Sequence, residues 1–214
     1  TNKNQMSISV SDFGATLVKI LVPDREGRTR DVALGYDSAE GYYDNPCHFG
    51  AIIGRNGNRI GKARFTLNGK EYQLAVNDNE NNLHSGPDWY RTRVWEVKKV
   101  DQEQNAVTFG LTSPDMDQGF PGTFTVQVTY TLTDENEIQI HYEGEADQDT
   151  IVNMTNHSYF NLAGHNAGPE VLLDHQVQIL APEYTPVTDS QSIPTGEIAP
   201  VAGTPMDFQT LKRI

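Results

Sequence analysis

The sequence predicts an all-β fold built mainly of antiparallel strands. Phe124-Thr125-Val126-Gln127-Val128-Thr129-Tyr130-Thr131-Leu132 alternates apolar and polar side chains over nine residues, the period of a strand with one buried face. Asn68-Gly69 stands between two short strand-forming runs, and both residues accept the positive φ of a type I′ hairpin turn. Apolar segments separated by turn residues recur at roughly 8–12 residues, the spacing of a sandwich or a barrel, and no long stretch carries a helical period.

From the N-terminus, Met6 to Val10 reads as the first strand. Leu17 to Val22 is the longest apolar run, broken by Lys19 and far too short to span a membrane. Ser38 to Tyr43 offers one or two helical turns at most. Phe65 to Leu67 and Glu71 to Leu74 are the arms of the Asn68-Gly69 hairpin. Val94 to Val100 and Val107 to Leu111 are further strands. Phe124 to Leu132 turns through Asp134-Glu135-Asn136 into Ile138 to Tyr142, a second hairpin. His175 to Leu180 is the last strand of this kind. No fixed-period repeat, low-complexity tract or linker interrupts the 214 residues. A single domain over residues 1–214 is therefore expected, long enough to bury a core without staples.

The chain carries 29 acidic against 16 basic side chains, a net charge of -13. Such a surface repels nucleic acid and anionic membrane, gives no reason to expect a phosphorylated substrate, and suits a neutral ligand. Cys47 is the only cysteine, so no disulfide forms within the chain and a reducing compartment fits. With no secretory pattern at the N-terminus, a cytoplasmic location is the default expectation.

One segment breaks the alternation. Val152 to Gly164, V-N-M-T-N-H-S-Y-F-N-L-A-G, places Asn153, Asn156, His157 and Tyr159 within seven residues. Polar groups at nearly every step of a half-buried strand are tolerated when they bond one another or converge on a polar ligand. A sugar fits, because Asn and His both donate and accept toward hydroxyls. The plainer alternative is a corner where Asn side chains cap turns and His157 is a satisfied core histidine.

N-H-S-Y-F-N-L-A-G resembles the signature segment of the aldose 1-epimerases (galactose mutarotases). Three further segments resemble that family in the same order: Gly50 to Phe65, G-A-I-I-G-R-N-G-N-R-I-G-K-A-R-F; Asn81 to Gly86, N-N-L-H-S-G, with Ser85 where a second Gly is usual; and Pro186 to Val201. The resemblance spans essentially the whole chain. It implies a large antiparallel β-sandwich with a sugar cleft on one concave sheet, and interconversion of the α and β anomers of free hexoses such as galactose or glucose.

That reaction needs a base to take the anomeric proton, an acid to protonate the ring oxygen, and a clamp for the hydroxyls, with no cofactor or metal. The resemblance makes His157 the acid, and an imidazole suits a proton donor regenerated near pH 7. It makes Asn58 and Arg59 substrate-binding residues and His84 the second histidine of the site. Arg59 competes with Arg55, four residues earlier, and the N-R-I tripeptide favours Arg59. A surface salt bridge is the plain reading of Arg59, and an exposed loop position that of His84. Tyr159, two residues beyond His157, falls on the same face of a strand and either contacts the sugar or fills the core.

Other chemistry is weakly supported. His157, His165 and His175 are too far apart to suggest a metal, and no phosphate loop or serine elbow is present. The resemblance also implies an Asp that binds the sugar and a Glu that serves as base, and no residue here matches either. The expectation is thus a mutarotase-like sandwich lacking the family's C-terminal part. A sugar-binding module without ring opening is the runner-up, and a sugar-phosphate epimerase or a purely structural β-domain are more distant rivals.

Overall fold

Alternation in the sequence becomes register in the computed structural model, which describes residues 1–187 and 189–213. They divide into two compact units, Thr1–His165 and Asn166–Ile214. In the first, β1 (Ser7–Ser11), β2 (Thr16–Pro23) and β3 (Thr29–Asp31) form an antiparallel sheet in that order. The short helix expected from Ser38 is α1 (Ala39–Asp44), with Ser38 at its N-cap position. Then come β4 (Ile52–Ile53), β5 (Arg59–Ile60), β6 (Arg64–Leu67), β7 (Lys70–Gln73) and β8 (Asn82–Leu83). The β6–β7 turn has positive φ at both Asn68 and Gly69, as a type I′ turn requires.

A second antiparallel sheet follows, comprising β9 (Glu96–Asp101), β10 (Ala106–Ser113), β11 (Phe124–Leu132) and β12 (Ile138–Ala146) in the order β12-β11-β10-β9. β11 has the expected bounds and inward face, with Phe124, Val126, Val128, Tyr130 and Leu132 all buried. These side chains share one hydrophobic cluster with Leu17 and Ile20 of β2, Phe109 of β10, and Trp95. That cluster is the core on which both sheets rest. The apolar run Leu17 to Val22 lies within β2. Lys19 points to solvent while Leu17 and Ile20 are buried; the register shifts between Leu17 and Lys19, and this bulge lets residues of opposite parity share the buried face.

β13 (Thr155–Asn156) pairs antiparallel with β4, and the polar segment is otherwise loop. It is fastened to the core by one phenol. Tyr130, fully buried, donates its hydroxyl to the Ala15 carbonyl at 2.7 Å and accepts from Asn156 Nδ2 at 3.1 Å. Asn156 Nδ2 also donates to the Gly50 carbonyl at 2.7 Å, and its Oδ1 accepts from the Ser158 amide at 3.1 Å and hydroxyl at 2.6 Å. This asparagine therefore holds backbone in place, as the plainer reading of the segment anticipated.

The second unit contains β14 (Gln176–Val177), β15 (Glu183–Tyr184), β16 (Ala199–Pro200) and β17 (Lys212–Arg213), paired β14-β17 and β15-β16. The strand expected from His175 to Leu180 is described as β14, paired with β17 at Gln176–Arg213 and Val177–Lys212. Thr188, within the Pro186–Val201 segment, and Ile214 lie outside the described residues. Among the described residues no helix is long and apolar enough to cross a membrane.

Candidate functional site

A cleft of about 990 Å³ opens in the first unit, walled by residues 46–49, 57–59, 83–84 and 153–159. It contains every site residue expected from the sequence: Asn58, Arg59, His84, His157 and Tyr159. Segments far apart in sequence are brought together by backbone ladders. Gly50 is at the crossing point: its amide donates to the His157 carbonyl at 3.2 Å, and its carbonyl accepts from Leu17 at 2.8 Å. Gly50 has φ +67°, and a Cβ there would sit 2.0 Å from the Leu17 carbonyl oxygen, so only glycine fits. The His157 amide donates to Ala51 at 2.9 Å, which completes the frame for that imidazole.

His84 is held more tightly. Its amide donates to the Asn58 carbonyl at 2.9 Å, and the Asn58 amide donates back to His84 Nδ1 at 2.9 Å. Nδ1 is thereby an acceptor, so the neutral ring carries its proton on Nε2 and is a hydrogen-bond donor from that atom. The preceding residue is braced by Asn77, whose Oδ1 accepts from the Leu83 amide at 2.6 Å while Nδ2 donates to its carbonyl at 2.9 Å. Burial, with the nearby charges of His157 and Arg59, pushes His84 down to about 4, Asp78 opposing weakly. At neutral pH His84 is an uncharged donor.

Ser85 clarifies the departure from the usual glycine. Its φ is +55°, a left-handed conformation that glycine adopts without strain. The serine is buried, and its hydroxyl accepts from the Asn56 amide at 2.8 Å and donates to the Asn56 carbonyl at 3.0 Å. Two bonds that glycine cannot make thus offset the backbone strain. Ser85→Ala is expected to lose about 2 kcal/mol, keeping the strain and losing both bonds. Ser85→Gly, relieved of strain, should lie about 1 kcal/mol above the alanine variant. Urea unfolding checks the order, and an alanine variant as stable as the glycine one would refute it.

The two arginines separate cleanly. Arg59 lines the cleft, with Nε 2.6 Å from Asp78 Oδ2 and Nη1 donating to Asn58 Oδ1 at 3.3 Å. The salt bridge anticipated as its plain role exists, and it orients the guanidinium beside the cleft. Arg55 is 2% exposed and not part of the lining. Its Nη1 lies 2.8, 2.9 and 3.1 Å from Pro121 O, Gly122 O and Thr150 Oγ1, and Nη2 lies 2.8 Å from Ser113 Oγ. Ser113 in turn donates to Asp117, which forms a bidentate pair with Arg93 at 2.6 and 2.9 Å. Burial pushes the Asp117 carboxyl up, but hydrogen bonds from Arg93 and Ser113 more than offset it and hold the group below its usual value.

Tyr159 shares a side with His157, though for a different reason from the one expected. Neither residue is in a strand; the rings meet at 5.2 Å across a loop, and Phe49 supports the phenol edge-on at 5.6 Å. A side chain not anticipated from the sequence completes the cleft. His48 lies 5.1 Å from His84 and 5.4 Å from His157, ring centre to ring centre, and those two are 5.1 Å apart. The rings pack on one another, and among the described residues no three His, Cys, Asp or Glu side chains are arranged to hold a metal. The described lining contains no carboxylate. The cleft is thus a polar trough with three imidazoles, one guanidinium, three asparagines and an aromatic wall, a set of polar groups matched to the hydroxyls of an uncharged polyol.

Comparison with known proteins points to one family. A family model described as aldose 1-epimerase matches residues 1–214. A galactose mutarotase of Bos taurus is 45% identical over 206 residues, covering 96% of this chain and 58% of the relative. An aldose 1-epimerase of Escherichia coli (strain K12) is 42% identical over 213 residues, covering 100% of this chain and 60% of the relative. The crystal structure of an aldose epimerase homologue from C. elegans superposes with a TM-score of 0.92 at 32% identity, covering 100% of this chain and 63% of that one. The chain therefore spans about three fifths of the length of these relatives.

Proposed function

Because the chain belongs to the aldose 1-epimerase family, we propose that its cleft binds free hexoses such as galactose or glucose and interconverts their α and β anomers. The observation that carries this reading is the meeting of His84 and His157 with Asn58, Arg59 and Tyr159 in one cleft that has room for a hexose. His157 is the acid that protonates the ring oxygen as the C–O bond breaks. His84, a donor through Nε2, bonds a sugar hydroxyl, and Arg59 and Asn58 hold others. Tyr159 packs against the ring. The open-chain aldehyde then rotates about the adjacent C–C bond, and the ring recloses on the other face with the protons returned. The anomeric hydroxyl gives its proton to a general base as the ring opens, a role we assign to no residue of this chain.

We read both compact units as parts of the one domain that the family match spans. With Cys47 as the only cysteine, the cytoplasm is our reading of its location. Polarimetry on freshly dissolved α-D-galactose and α-D-glucose tests the function. The expected result is faster approach to the equilibrium rotation than in buffer alone. Sugar binding without acceleration would instead make the protein a binding module, and neither binding nor acceleration in a folded sample would remove the site assignment.

A further inference from the structure

His48 lines the cleft, but the roles assigned so far leave it without a task. Its setting is nonetheless built. The His48 amide donates to the Asn45 carbonyl at 2.9 Å, and Ala51 donates to the His48 carbonyl at 3.2 Å. Asn45 is buried, with Oδ1 accepting from the Phe49 amide at 2.8 Å and Nδ2 donating to its carbonyl at 3.1 Å. Trp89 stands 5.7 Å from the His48 ring and is itself capped by the Arg91 guanidinium, 4.5 Å from its ring centre. Arg91 is fixed by donating to the Asp44 carbonyl at 2.8 Å. His48 is therefore wedged between a rigid backing and two imidazoles.

We infer that His48 is a positioning residue of this cleft, an uncharged ring that braces His84 and His157 so that both present their nitrogens in fixed directions. The role rests on the reading of the cleft as a mutarotase site. Three rings in mutual contact form a closed triangle, in which no ring turns without displacing another. His84 has a second tether through Nδ1, whereas His157 depends on His48, His84 and Tyr159 for its ring orientation. Neutrality suits the brace. Burial first, then the Arg91 charge and those of His84 and His157, push His48 down to about 4, so at neutral pH it adds no cation to oppose a proton on His157. The buried Nδ1 of His48 has no hydrogen-bond partner, consistent with a ring retained for its shape.

The test combines polarimetry with NMR titration of the histidine ring nitrogens in the wild type, His48→Ala and His48→Phe. The alanine variant is expected to lose about 10- to 100-fold in kcat with KM within about threefold, as for a catalytic group displaced by an ångström or so. Its His157 ring signals and titration midpoint should shift. His48→Phe, which keeps the ring and removes the nitrogens, should recover most of kcat and the wild-type His157 titration. An alanine variant with unchanged kcat and an unmoved His157 overturns the inference. A phenylalanine variant as impaired as alanine also overturns it, since the nitrogens would then act directly. A wild type without mutarotation defeats the functional reading alone. The ring titrations then decide the brace: a His157 shift in alanine but not in phenylalanine supports it, and no shift refutes it.

Discussion

His157→Ala is expected to slow mutarotation by about 10²–10⁴-fold, the usual contribution of one positioned acid–base group. On the proposed reading the loss should fall on kcat, because Asn58, Arg59 and His84 would still bind the sugar. The change leaves the scaffold intact. The backbone of residue 157 is held by its own amide and carbonyl to Ala51 and Gly50, and neither bond involves the imidazole. Circular dichroism and the melting temperature should therefore stay close to wild type while the polarimetric rate falls. Imidazole added to the buffer should restore part of the rate by occupying the space the ring vacates. A variant with more than about a tenth of the wild-type kcat would exclude His157 as the acid.

Arg55→Met is expected to cost about 3–5 kcal/mol, because it leaves several buried acceptors unpaired at about 1–3 kcal/mol each, with partial relaxation. The guanidinium serves Pro121, Gly122 and Thr150 through one nitrogen and Ser113 through the other. A thioether fills much of the volume but leaves these acceptors unsatisfied in a dry interior. Arg55→Lys should recover less than half of the loss, because an ammonium is a point donor and cannot reproduce a planar fork with two arms. Urea midpoints at constant slope give the comparison. A methionine variant within about 1 kcal/mol of wild type would mean that the acceptors find other partners.

The legible parts of the fold are those where local pattern and tertiary burial agree. Phe124 to Leu132 alternates strictly and is buried on that face, so its bounds could be read directly. β2 was obscured because Lys19 interrupts an apolar run, and only the sheet shows that the lysine lies on the outer face. His175 to Leu180 looked like a strand by composition, but its pairing partner lies far away in sequence. The site was legible through its motifs: Asn58, Arg59, His84, His157 and Tyr159 all line one cleft. Motifs did not say which way an amide points, and Asn156 proved to be a tie to Gly50 and Tyr130. His48 was missed because a single histidine after Pro46-Cys47 carries no local signal. Its position just before the Gly50 segment was the available clue, and only the crossing of chains at Gly50 places it beside the other two rings.

The phenol of Tyr130 has a consequence for how such a cleft can be altered. One hydroxyl is shared by the interior of a sheet and by the asparagine next to His157, so the protein's packing and its chemistry do not vary independently. Substitutions that repack the β11 face will retune the site even without touching it. Changes in ligand preference are cheapest at side chains that no core hydroxyl holds, the exposed Asn58 and Tyr159. Drift toward other sugars should therefore accumulate along that outer wall, with the inner one fixed by the demands of folding.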